Sequence, residues 1–439
     1  MTGLAVERVA LLFAILIFCG VATFGQVPQA GTLESNVVNT YSNALILLLF
    51  GALTLVNIRR TADFLPFSYL LIAFLLLATI SALWSVVPEL TLRKVASLVT
   101  TLLVAIHLTW RFDFAKALTI VGHALLVVLV LSILTVALLP HVGITQVSDA
   151  SDLAGTWKGV LATKNSLGWI CIAGVQVYGW RFLVEPERRL RHLGCLVLFV
   201  FVAAETRSAT AFICIALSLF LIAVLNLRRW QSAKRVALEW LVMGLVGLAF
   251  AVLLLAPASV LDLFGKSADL TGRVPLWLSL MHSIEQRPLL GYGYGGFWVN
   301  VNPEMLRVWA LNPWKPPNAH NGFLEVTLDL GILGLVIAVL FLIVSTRRAL
   351  AWCRRPDTRW AVYAGCFLIV FIVTSLDETE FLRGGDLFCL LLAFCYFTLL
   401  RQKRQSEAPE AARGGKRGTH GWAIRPLELN PPDASNHSD

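Results

Sequence analysis

The sequence predicts an all-α polytopic membrane protein of about twelve transmembrane helices, with a large structured outer loop before the tenth. Three observations carry that prediction. Of 439 residues, 57% are hydrophobic and only 14% charged, and the mean hydropathy is +0.73, far outside the range of ordinary globular domains. The apolar residues gather in runs, many of them long enough for a helix to cross a hydrocarbon core roughly 30 Å thick. Lys and Arg are dense in alternate segments between the runs, as the positive-inside rule requires.

The runs occupy 9–24, 43–56, 66–83, 95–110, 117–139, 164–180, 192–204, 209–227, 237–255, 321–344, 360–373 and 387–400. The first is short and follows one Arg, as a secretory signal would. No small-residue cleavage site follows Phe24, so it is read as a span.

With the N-terminus inside, the inner segments carry Arg8, then Arg59 and Arg60, then Arg111 and Lys116. Arg181, Arg188, Arg189 and Arg191 follow, then Arg228, Arg229, Lys234 and Arg235, then Arg347, Arg348, Arg354, Arg355 and Arg359, and finally the basic residues of the tail. These are the majority of the 36 Lys and Arg, and they place both termini in the cytoplasm. The net charge of +9 is therefore topology and attraction to anionic lipid, not a nucleic-acid footprint.

The segment 256–320 is rich in Pro, Gly, Trp and Tyr and is too small for an independent domain, so it is expected to fold over the outer mouth of the bundle. Within it, 271–286 suits an amphipathic helix, with Pro275 in the first turn and Val274, Trp277, Met281 and Ile284 at helical spacing. A packed surface helix without a substrate role fits the same pattern. Two domains result: a bundle over 1–404 that includes this loop, and a polar tail over 405–439 expected to be disordered.

Seven of the eight cysteines fall inside predicted spans and Cys353 on the inner side, so they read as small core residues rather than a disulfide framework. No His and Cys cluster has metal spacing. Neither a metal nor a cofactor is expected.

The polar residues that invite chemistry lie on the outer side. Arg207 occupies the tight turn between two apolar runs, where a guanidinium can snorkel as an interface anchor or meet a ligand. Arg273 starts the amphipathic helix, where its forked donors and the free backbone amides would suit a phosphate; a solvated surface Arg reads equally well. Lys164 opens a span beside Asn165 and is placed to snorkel or to contact phosphate.

His320 follows Pro316, Pro317, Asn318 and Ala319 at the start of a long apolar helix. Asn321 or Asn318 can cap that helix, and its positive end favours a neutral imidazole, the form a general base requires. A lone His at a helix end more often caps or packs. Glu325 and Asp329 lie four apart on the same helix, a costly placement unless they face a polar cavity.

Gly291, Gly293 and Gly296, interleaved with Tyr292 and Tyr294, match a dinucleotide fingerprint in form only. No strand precedes them, so a turn packed under Tyr292 and Phe297 is the better account. Trp277, Trp298 and Trp314 offer flat faces to sugar rings, although an interfacial aromatic belt explains such residues equally simply.

Taken together, Thr271, Gly272, Arg273 and Trp277, then the stretch 288–297, then His320 and Asn321 with Gly331 and Gly334, resemble the shared core of bacterial O-antigen ligases and polymerases, including exopolysaccharide polymerases. The resemblance covers about 139–344 and includes the order of Arg207, Arg273 and His320. It implies a multi-pass inner-membrane glycosyltransferase whose 256–320 loop and active site face the periplasm.

It also implies an undecaprenyl diphosphate-linked glycan as donor and a glycan or lipid as acceptor. His320 would be the catalytic base, and Arg207, Arg273 and Lys164 would hold the diphosphate. Asn321, Glu325 and Asp329 would support them, with Trp277, Trp298 and Trp314 against sugar. A chain-length regulator and a flippase are the partners expected beside membrane lipid.

In ligases further small residues often follow the glycine pair, whereas Leu335 and Val336 follow here, which favours a polymerase over an O-antigen ligase. A polysaccharide transporter or flippase would show polar groups deep in several helices and paired halves. This sequence concentrates its polar groups on one side.

Overall fold

The computed structural model describes residues 2–24, 37–62, 64, 68–146, 154–227, 273–355, 358–379 and 381–407. Among them the chain is helical, with no strand and a single isolated bridge between Ile144 and Trp157. The helices are α1 (Thr2–Phe18), α2 (Val37–Val56), α3 (Ile58–Ala62), α4 (Tyr69–Ile80), α5 (Pro88–Arg111), α6 (Phe114–Leu138), α7 (Pro140–Gly143) and α8 (Lys164–Val184). There follow α9 (Arg189–Thr206), α10 (Ala209–Leu227), α11 (Arg273–Gln286), α12 (Pro303–Leu311), α13 (Gly322–Cys353), α14 (Arg359–Thr374) and α15 (Leu387–Glu407).

Every predicted run within the described residues coincides with a helix; 237–255 lies outside them, as do Thr271, Gly272 and the tail beyond 407. Among the described residues six helices are long and apolar enough to cross a membrane, namely α2, α5, α6, α8, α13 and α10 over Ala209–Asn226. The protein is thus multi-pass. Helix α15 continues to Glu407, past the boundary drawn at 404.

The bundle packs around α8, buried continuously from Leu167 to Arg181. Small residues allow that: a Cβ on Gly174 would sit 2.4 Å from the Phe199 ring of α9, the close approach that drives helix association in lipid. At the other extreme α2 exposes Leu45, Leu48 and Leu55, a surface suited to lipid rather than water. The cysteines pack as small apolar residues, all buried except half-buried Cys195.

Helix α13 is two helices. At Gly331 the backbone turns to φ 64°, ψ −164°, a region essentially reserved for glycine. A Cβ there would lie 2.2 Å from the Leu289 carbonyl. Contacts at both ends show how sharp the break is. Gly322 N donates to Ser375 O at 2.7 Å, and Cys353 Sγ to Ala361 O at 3.1 Å.

At 1.5 Å per residue α13 would rise about 46 Å between those contacts, whereas α14 rises only about 21 Å between its own. The two halves of α13 must therefore meet at an acute angle. The second, Ile332 to Cys353, is about 33 Å long and by itself matches the hydrocarbon thickness.

The segment 288–296 plugs the break. Tyr292 N and Gly293 N donate to the Leu328 and Asp329 carbonyls at 2.8 and 2.9 Å, and Ile332 N donates to Pro288 O at 2.8 Å, so orphan groups of both half-helices are satisfied. Gly291 is required there, since a Cβ would meet Leu328 O at 2.5 Å. The glycine cluster is a packed turn, with Tyr292 edge-on to Phe297 at 5.0 Å.

Over this turn a second small core of Leu276, Leu280, Tyr292, Phe297, Met305, Val308, Ala319 and Leu328 joins α11 and α12 to the first half of α13. Helix α11 buries Leu276 and Leu280 in it and leaves Val274, Leu278 and Met281 exposed. The apolar face expected from Val274, Trp277, Met281 and Ile284 is therefore divided. Trp277 and Ile284 lean on the small core, while Val274 and Met281 remain on the surface.

Candidate functional site

His320 lies just before α13, not at its first residue as the sequence suggested. Asn321 is the cap: its Oδ1 accepts from Phe323 N at 3.0 Å and Leu324 N at 3.1 Å, as a helix N-terminus demands. Its Nδ2 donates to Leu376 O at 3.2 Å. Asn318 Oδ1 accepts from His320 N at 3.0 Å.

Ala319 is pinned from both sides, by Glu325 Oε2 accepting its N–H at 2.9 Å and Trp277 Nε1 donating to its carbonyl at 2.9 Å. So constrained, His320 takes a left-handed backbone, φ 47°, a conformation uncommon for residues other than Gly that costs on the order of 1–3 kcal/mol. Its side chain is left out of the capping network.

The imidazole instead faces Glu378, in the turn after α14. His320 Nδ1 stands 3.4 Å from Glu378 Oε2, an ion-pair approach rather than an aligned hydrogen bond, and Nδ1 has no other partner. The other carboxylate oxygen is held twice: Asn165 Nδ2 donates to Oε1 at 2.9 Å and Arg273 Nη2 at 3.2 Å. Arg273 Nη1 donates to the Asp377 carbonyl at 2.8 Å and ion-pairs with the Asp377 carboxylate.

The second oxygen of that carboxylate accepts from the Thr210 hydroxyl of α10. The starts of α8, α10, α11 and α13 thus converge on one turn. Relative exposure is 9% for Glu378, 14% for Arg273 and 17% for His320, so the cluster is shielded but reachable.

Burial alone would raise the Glu378 carboxyl; His320, Arg273 and Asn165 together more than reverse this and hold it below the usual carboxylate range. A carboxylate facing Nδ1 favours the tautomer in which Nδ1 carries the proton and Nε2 is a free acceptor. That arrangement orients a general base, and such contacts commonly tighten only when substrate is bound.

Arg207 caps the end of α9 in the left-handed region, φ 48°. Its backbone N–H donates to Ala204 O at 3.0 Å; the side chain is exposed, and among the described residues it makes no hydrogen bond or ion pair. It stands three residues before Thr210, whose hydroxyl donates to Asp377. Lys164 is the first residue of α8, next to Asn165 and half-buried.

The supporting carboxylates Glu325 and Asp329 lie on the first half of α13. Both precede the break at Gly331, so neither falls in the half of α13 that matches the membrane. Glu325 accepts from Trp298 Nε1 at 3.0 Å as well as from Ala319 N, and so braces the approach to His320. Asp329 is buried, with Oδ1 unpartnered.

Of the three tryptophans, Trp277 and Trp298 spend their indole N–H groups on structure. Trp314 lies 5.6 Å from the His320 ring, its N–H without a partner.

Asp377, Glu378, Asn165 and Thr210 were not singled out from the sequence. A signal existed, since Asp377, Glu378 and Glu380 follow an apolar run within four positions of sequence. Clustered carboxylates at a membrane edge need partners.

Comparison with known proteins completes the picture. Residues 192–339 match the O-Antigen ligase family, a span that holds Arg207, Arg273 and His320 but stops short of Glu378. The chain is 26% identical over 414 residues, 90% of its own length and 88% of the relative's, to “Exopolysaccharide production protein ExoQ” of Rhizobium meliloti. It is also 28% identical over 108 residues, 24% of this chain and 26% of the relative, to “Putative polysaccharide ligase” of Rickettsia felis. These similarities support a membrane glycosyltransferase-type enzyme that resembles the O-antigen ligases and polymerases.

Proposed function

We propose that the protein polymerises undecaprenyl diphosphate-linked repeat units at the periplasmic face of the inner membrane, in a twelve-span arrangement with both termini cytoplasmic. The observation that carries this reading is the His320–Glu378 pair, set at the converging ends of four helices. His320 Nε2 takes the proton of an acceptor sugar hydroxyl. The acceptor oxygen bonds to the donor's anomeric carbon while the bond from that carbon to the diphosphate oxygen breaks, and the lipid diphosphate leaves with the electron pair. One such displacement inverts the anomeric configuration.

General-base help of this kind contributes roughly 10²- to 10⁴-fold. The larger contribution is electrostatic, supplied by Arg207, Arg273 and Lys164 as the cations that meet the diphosphate. Guanidiniums meeting a diphosphate on an already good leaving group can take the place of a divalent cation. Trp314, its ring 5.6 Å from that of His320, offers an aromatic face to the acceptor sugar.

The similarity to an exopolysaccharide production protein over most of both chains favours polymerase over ligase. Gel profiles of lipid-linked and secreted glycan with and without the protein test this. Collapse of a ladder to single repeats supports polymerase. Full-length polymer that is merely no longer attached to lipid A core supports ligase instead.

A further inference from the structure

A second polar group lies one helical turn along α13 from the residue that braces His320. Asp329 follows Glu325 by one turn, about 6 Å of rise. It is 6% exposed, and its Oδ1 has no partner among the described residues. Gly295, in the segment that plugs the break, presents its backbone amide to the same carboxylate. Lys94 of α5 lays its stem over that glycine, where a Cβ would meet Lys94 Cγ at 2.9 Å. Ammonium and carboxylate thus flank one glycine and attract one another. Among the described residues they nevertheless form no direct ion pair, and Lys94 Nζ makes no hydrogen bond.

The frame around them is fixed. The Tyr294 hydroxyl donates to Leu382 O at 2.6 Å and Gly385 N donates to Thr101 Oγ1 of α5 at 2.8 Å. The turn that carries Arg383 is therefore tied to the plug on one side and to α5 on the other, and Arg383 attracts both Glu325 and Asp329. Lys94, Ser97 and Thr101 share one face of α5. A spanning helix tolerates such a polar stripe only toward a polar interior.

Two carboxylates and two cations leave no net charge, so neither an anion nor a cation is the favoured guest. An ammonium only donates and an ionised carboxylate only accepts, whereas a hydroxyl does both. A hydroxyl between Lys94 and Asp329 accepts from Nζ and donates to Oδ1, which satisfies an oxygen that burial otherwise leaves at a cost. A saccharide presents several hydroxyls in a fixed array.

We propose that Lys94 and Asp329 form a subsite for the acceptor saccharide, holding a ring hydroxyl between ammonium and carboxylate one helical turn from Glu325, and so govern acceptor affinity. This deepens the general-base reading of His320 and rests on it. Glu325 joins the two places, since its Oε2 accepts from Ala319 N at 2.9 Å, next to His320.

The test uses the full-length protein in detergent, with lipid-linked repeats as donor. The acceptors are lipid A core and the same repeat freed of its lipid diphosphate by mild acid and labelled with a fluorophore, which can accept but cannot donate. Lys94→Met and Asp329→Asn are each expected to raise acceptor KM about tenfold or more, with donor KM changed less than about threefold. Lys94→Met/Asp329→Asn leaves no lone buried charge, so its Tm is expected to return toward wild type while acceptor KM stays raised. A charge pair that merely held the fold would recover both together.

The proposal is overturned if the single variants keep wild-type acceptor KM, if donor KM rises as much as acceptor KM, if the double variant regains wild-type acceptor KM along with its Tm, or if the wild type extends neither acceptor. Extension of lipid A core alone removes the polymerase reading, and the variants are then judged on that acceptor. Undiminished transfer by His320→Ala removes the general-base reading and leaves the acceptor KM comparison standing.

Discussion

Glu378 faces His320 across 3.4 Å although 58 positions separate them in the chain. Five segments must be in place for that contact: the capped start of α13, the turn after α14, and the first turns of α8, α10 and α11. Replacing Glu378 with Gln keeps the volume and the acceptor for Asn165 but removes the charge facing Nδ1. Transfer by Glu378→Gln is expected to fall by about 10- to 100-fold with donor KM little changed, measured as initial rates on lipid-linked repeats.

The same carboxylate gives the stability of the protein a defined pH dependence. Its folded pKa is depressed, so its contribution is present above the unfolded value, roughly 4.3, and is lost as pH falls through the folded value. Thermal melts of wild type and Glu378→Gln should therefore differ most near neutral pH and converge as the solution is acidified below pH 4. A gap that widened on acidification would contradict the assignment.

Gly331 is the one residue on which the shape of α13 depends. Gly331→Ala forces a Cβ into the Leu289 carbonyl in a backbone region alanine avoids. It is expected to cost at least about 3 kcal/mol, read as a lowered Tm and poor recovery of folded protein from membranes. Gly194, where a Cβ would meet open space, is the control, and Gly194→Ala should be nearly silent.

Asn321 holds two backbone amides of α13 and the Leu376 carbonyl. Asn321→Ala is expected to lose about 0.5–2 kcal/mol and to loosen His320 against Glu378, lowering transfer as well. Asn321→Asp retains the cap acceptor and should recover most of the stability. Melting temperature and initial rate, read on the same preparations, separate the two effects.

Much of the architecture was legible because the bilayer demands so little variety. Long apolar runs have to become helices, and basic residues mark the segments between them. His320 was legible for a related reason, since Pro316, Pro317 and Asn318 announce a chain entry and Asn321 announces a cap. What could not be read was pairing. Nothing local to Glu378 says that it meets Asn165 and Arg273, because those contacts span 213 and 105 positions.

Nor does the run 321–344 reveal that Gly331 is a break rather than a tolerated helical glycine. That became visible only when Leu289 and Leu290 were seen to pass where a side chain would be. The tryptophans show the same limit from the other side. Flat faces were legible in three similar residues, but not that the indole N–H groups of Trp277 and Trp298 hold Ala319 and Glu325.

The central claim is that His320, oriented by Glu378, removes the acceptor proton in a transfer that needs no divalent cation. The most direct measurement is the rate at which purified protein extends lipid-linked repeats in the presence of EDTA, for wild type and His320→Ala. Full activity of the wild type in EDTA with a loss of at least about 100-fold in His320→Ala is the predicted result. Polymer formed by His320→Ala at the wild-type rate, or wild-type activity abolished by EDTA and restored by a divalent cation, would contradict it.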